Sequence, residues 1–196
     1  MRATLFCISI ATLMVFLSLD SNGQTRKYDI KSCTITYEMT QKVAGLDMRS
    51  TIVVSFDDYG MKECRETYQG DKLQEVLLSD GKELYKLQPA KKAAIRRGKA
   101  DRGTEVTMSW NDVSSDDKKA GKAKQLPNIT IAGKTCESFV YVSAQDTTTY
   151  AVWNHVQMMI DMKSKQVTTL KKAVTVDEKT AVSADKFKVP AGYTIH

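Results

Sequence analysis

The chain has 196 residues, 29 of them basic and 23 acidic, for a formal net charge of +6, with four cysteines and only two histidines. No CxxC pair exists and two histidines cannot complete a zinc set, so no metal site is expected. A G-x-S-x-G elbow, an H-E-x-x-H pair and a phosphate-cradling glycine loop are all missing, so no catalytic residue and no cofactor is expected.

Arg2, the apolar stretch Leu5 to Leu19 and the polar Asp20-Ser21-Asn22-Gly23 read as a secretory signal peptide, residues 1–23, cut after Gly23. The apolar stretch is roughly 15 residues, short of the ~20 that a membrane-spanning helix needs. No cysteine lies at the cut, so the expected product is one domain, residues 24–196, periplasmic or secreted and without a lipid anchor. Both an acid and a base leave with the peptide, so the basic balance survives. Cys33, Cys64 and Cys136 remain, an odd number in an exported chain. Each lies in a strand-like run, which suits a buried thiol; a Cys33–Cys64 bridge is the alternative.

The dominant rhythm is two. "SCTITYEM" alternates Cys33, Ile35, Tyr37 and Met39 against polar neighbours, the pattern of a strand with one dry face. "STIVVSF" and "MKECRETY" flank Asp57-Asp58-Tyr59-Gly60, a turn sequence that predicts a hairpin. "LQEVLLSDGKELYKLQ" predicts another around Ser79-Asp80-Gly81, Pro89 ends it, and "KKAAIRR" adds a strand.

From about 98 to 126 the rhythm breaks into charges and glycines, and the spacing of Val106, Trp110 and Val113 predicts a helix or flap of a turn or two within a mobile crossing segment, a lid. Strand chemistry resumes after Pro127 in "NITIAGKTCESFVYVSA". The run Tyr150 to Met162 fits helical spacing as well as alternation. Its β-branched and aromatic flanks, Thr147 to Tyr150 and "QVTTLKKAVTV", favour two strands turning near Asn154-His155 and a further turn at Lys163-Ser164. At the end, Ser183 to Phe187 predicts a capped single turn and Val189-Pro190-Ala191-Gly192 a bend into a last strand.

"FDDYGMKECRETY", "YAVWNHVQMMIDMK" and the closing "VSADKFKVPAGYTI" resemble a family of uncharacterised exported Gram-negative proteins grouped with the LolA-like, outer-membrane lipoprotein-sorting superfamily. The resemblance implies a mainly β fold: a strongly curved antiparallel sheet, or half-barrel, with a short helical or loop lid over its concave face. It also implies an apolar cavity suited to the acyl chains of lipoproteins. No local motif singles out an arginine for the gating role that the carriers give to one.

A hydrophobic or acylated ligand is therefore expected, lined by Trp110, Trp153, Val156, Met158, Ile160 and Met162. Methionines adapt to guests of varied shape, although the same residues would also serve as ordinary core. Lys91, Lys92, Arg96 and Arg97 are candidates for an anionic head group, against the alternative of a solvated loop. The competing expectation is a β-rich module with a self-filled core that binds another envelope protein. Nucleic acid is not expected, since no aromatics are interleaved with the bases, and membrane contact is expected to be transient at most.

Overall fold

The computed structural model describes residues 26–100 and 108–196; the expected signal peptide and Val106 lie outside the described residues. The first half is a meander of β1 (Cys33–Val43), β2 (Leu46–Asp57), β3 (Lys62–Gln69), β4 (Lys72–Asp80), β5 (Glu83–Gln88) and β6 (Ala93–Lys99). After α1 (Ser115–Lys119) come β7 (Ala123–Ile131), β8 (Lys134–Val142), β9 (Asp146–Trp153), β10 (Val156–Ser164), β11 (Val167–Asp177) and the short β12 (Thr194–Ile195). They form one sheet in the order β12-β6-β5-β4-β3-β2-β1-β11-β10-β9-β8-β7, antiparallel except for the β12–β6 pair, and not closed into a barrel.

Side-chain alternation dictates this architecture, and the turns carry the matching chemistry. Asn154 and His155 both take positive φ in the β9–β10 turn, as a two-residue hairpin loop requires. Tyr150 to Met162 is therefore two strands, and the helical option falls. Bulges interrupt the β1–β11 and β9–β10 pairings, which adds bend and twist. The sheet curls enough for β7 to approach β11 and for Lys134 to pair with Glu178.

The lid differs from its sequence reading. Lys99 belongs to β6 and Ala123 to β7, so the crossing segment is shorter than 98–126. Trp110–Asp112 is a single 3-10 turn and Val113 is extended; the α-helix is Ser115–Lys119, a charged stretch with no apolar stripe. It forms there because the Ser114 hydroxyl accepts the Asp117 N–H, with acids in its first turn and lysines in its last. β7 also starts before Pro127, which is tolerated because β7 is an edge strand and the pairing is irregular between Leu126 and Ile129.

The core changes sides across the sheet. Cys33, Phe56 and Glu63 share one face by register, whereas Ser55, Cys64 and Leu78 share the other. On the first face Cys33, Ile35, Tyr37, Ile52, Val54 and Phe56 form the main core. On the second, Cys64, Val76, Leu78, Leu87 and Ala94 are covered by the C-terminal segment through Phe187. The Ser183 hydroxyl caps the 3-10 turn Ala184–Phe187 that presents that phenylalanine. All three described cysteines are buried free thiols.

Candidate apolar-ligand surface

The inner face is defined by rows of paired residues. Phe139, Tyr150, Ile160, Lys171, Met39 and Ser50 make one row from β8 to β2. Tyr141, Thr148, Met162, Thr169, Gln41 and Met48 make the next, and Val167, Val43 and Leu46 the last, at the turns. Partners in a row point the same way, so these side chains form a contiguous floor.

One margin of the floor is covered. Trp110 packs its ring 5.9 Å from Phe139, which stacks on Tyr150 at 5.1 Å. The Trp110 backbone N–H donates to Glu137 at 3.0 Å, and the Lys118 ammonium lies 4.5 Å over the indole. Asp112 closes the turn from below: burial opposes its charge, but the N–H and hydroxyl of Ser109 hold its carboxyl below the usual range. Burial raises the Tyr150 phenol.

The remainder of the floor is open. Ile160, Met162 and Met39 are half-buried, Met48 is exposed, and Leu46 is 70% exposed. A hollow of about 580 Å³ lies on this face beside Met162 and Val167, within the roughly 300–1,000 Å³ of small-molecule sites. Another of about 420 Å³ is lined by Glu38, Thr40, Arg49 and Thr51, which by register belong to the opposite face. Lys171 lies within the floor, nearly fully buried, its ammonium 4.7 Å over the Tyr37 ring.

The expected lining residues therefore separate. Ile160 and Met162 stand together on the floor and Trp110 roofs one margin. Val156 and Met158 are inside the main core. Trp153 sits at its edge with Lys134 4.6 Å over the ring, beside a smaller hollow shared with Asp29, Glu137 and His155. His155 and Asp29 are 2.7 Å apart there, on exposed side chains. The basic candidates lie on the opposite side of the sheet order from Trp110: Lys91 and Lys92 follow β5, Arg96 pairs with Glu83, and Arg97 is exposed. Val43, Leu46 and Met48 escaped the sequence reading, although Leu46 and Met48 alternate with Asp47 and Arg49, a strand signal that begins before "STIVVSF".

An open, curled antiparallel sheet with few helices and a partly roofed apolar face is the architecture that the sequence led one to expect. No family model matches the chain, and no curated protein matches it. An uncharacterised conserved protein from Thermus thermophilus resembles it with a TM-score of 0.56 at 8% identity, over 89% of this chain and 94% of that one. The MucA/MucB complex of Pseudomonas aeruginosa aligns at 0.47 and 10% identity, over 87% of this chain and 59% of that one. A LolA superfamily protein from Nitrosomonas europaea aligns at 0.43 and 10% identity, over 85% and 96%. The first of these is a likeness of fold alone.

Proposed function

We propose that the protein is a non-catalytic, exported binding protein of the cell envelope that holds a hydrophobic or acylated ligand, such as a lipid or lipoprotein acyl chain, on its inner face. The observation that carries this reading is a pair of adjoining rows on one face of the sheet, Ile160 and Met39 across Lys171 in one and Met162 and Met48 across Thr169 and Gln41 in the next, whose apolar side chains are half-buried or exposed. Each methylene that a guest buries there contributes about 0.8 kcal/mol, so a long chain binds firmly with few hydrogen bonds. Native mass spectrometry of protein purified from its own envelope tests it. A reproducible lipid adduct, displaced by a fluorescent fatty acid, is expected; a clean apo mass and no fatty-acid binding overturn it.

A second reading draws on the burial of Val156 and Met158 in a filled core: a β-rich module whose partner is another envelope protein. It predicts the clean apo mass together with a protein co-purifying from cross-linked envelopes.

A further inference from the structure

Antiparallel pairing brings five turns to one end of the strands: Ala44-Gly45, Gly70-Asp71, Pro89 to Lys92, Ser143 to Gln145, and Lys165-Gln166. Three of the six exposed large hydrophobic side chains among the described residues stand there: Leu46 at 70%, Met48 at 44% and Val142 at 43% exposure. Leu46 directly follows a turn in which Ala44 and Gly45 both take positive φ, so it projects from a sharp hairpin tip rather than from a packed surface.

The charges around this tip are biased. Lys42, Lys122 and Lys163 are engaged by Asp47, Asp117 and Asp161. Arg49, Lys72, Lys124 and Lys165 are exposed and enter no described ion pair, against Asp71, Asp116 and Asp146 among the acids. Apolar side chains at a tip, ringed by exposed bases, match the headgroup boundary of an anionic bilayer: apolar groups enter the acyl margin while bases face phosphates.

We propose that this end of the sheet docks on an anionic lipid surface, with Leu46 and Met48 entering the boundary and Arg49, Lys72 and Lys165 facing the lipid phosphates. The contact itself stands apart from the ligand reading. Its consequence rests on that reading, because the same end opens onto the Met162 floor and a guest would pass between bilayer and sheet without crossing bulk water.

Flotation of the full exported chain with phosphatidylcholine vesicles, with and without phosphatidylglycerol, tests the proposal. Binding is expected only with phosphatidylglycerol and is expected to fall as salt rises. Leu46→Asp should lower the bound fraction at least about tenfold, since a charge replaces the inserting side chain. Leu170→Asp, at an exposed position on the other face, should leave it unchanged, and circular dichroism checks that both variants fold. Absence of wild-type binding, or equal binding by Leu46→Asp, overturns the proposal. So does a wild-type dimer, seen by light scattering without vesicles, that Leu46→Asp dissolves, which would make the tip a self-association surface. Fatty-acid displacement on the same samples separates the two readings: vesicle binding without displacement keeps the docking end and removes the ligand.

Discussion

Met158 and Met162 are four residues apart on β10, and the fold gives them opposite fates: Met158 is 0% exposed in the core, Met162 half-buried on the open floor. Fully burying a methionine side chain yields about 2 kcal/mol, so a guest that covers the exposed half of Met162 gains about 1 kcal/mol, or about fivefold in Kd. Met162→Ala should therefore weaken fatty-acid displacement about fivefold while costing the fold less than about 1 kcal/mol. Met158→Ala should do the reverse: a cavity in a closed core costs about 2–5 kcal/mol, with the affinity of the folded fraction unchanged. Urea titrations followed by tryptophan fluorescence give the stabilities, and displacement titrations without urea give the affinities. If Met158→Ala weakens binding more than Met162→Ala at equal folded fraction, the guest sits deeper along the strand than the open end of the floor, and the assignment of the floor to Met162 fails.

Phe187→Ala should cost about 3–5 kcal/mol and release the C-terminal segment, seen as trypsin cleavage after Lys186 or Lys188 before global unfolding. Gly60→Ala combines a φ of +86° with a new Cβ 2.6 Å from the ring of Tyr28, itself packed 4.3 Å from Phe56; a loss above about 2 kcal/mol in urea is expected. Burial, helped by Glu178, pushes the Cys33 thiol up to about 12 from 9.0, and burial, helped by Glu66, does the same to Cys64. The native state then keeps protons that the unfolded chain releases, so this stabilisation is complete below pH 9.0 and is lost as pH rises through about 12. Urea midpoints should fall across that window, less so in a Cys33→Ala, Cys64→Ala variant, and iodoacetamide should label neither thiol until the chain unfolds.

Most of the sheet was legible because alternation and turn chemistry agree: "SCTITYEM" pairs with "STIVVSF" and the glycine-bearing turns lie where the strands reverse. Within the lid the place of the helix was misjudged: Trp110 starts a 3-10 turn and Val113 is extended, whereas the helix forms further along the chain on a Ser114 cap with no apolar signal. The start of β7 was hidden by Pro127, since one-dimensional reading cannot tell an edge strand from a central one. Among candidate floor residues, Ile160 and Met162 were found but Val156 and Met158 were not separated from them. All four alternate along β10, and only the three-dimensional packing decides where along the strand the closed core ends and the open floor begins.

The exchange of core side between β2 and β3 reaches further than packing. Beyond Tyr37, Ile52 and Val54, the same face continues across β3 to β5 as Arg65, Leu77 and Lys86 in one row and Thr67 and Glu75 in the next, with Glu63 held by Lys27 at 2.5 Å and by the Tyr28 hydroxyl at 3.0 Å. Val54 and Arg65 are direct partners, so the closed core meets a charged side chain within one strand spacing, about 4.8 Å. Strand pairing is thereby locked, because a slip of β3 by one residue against β2 would turn Arg65 toward the Phe187 side and leave Cys64 beside Val54.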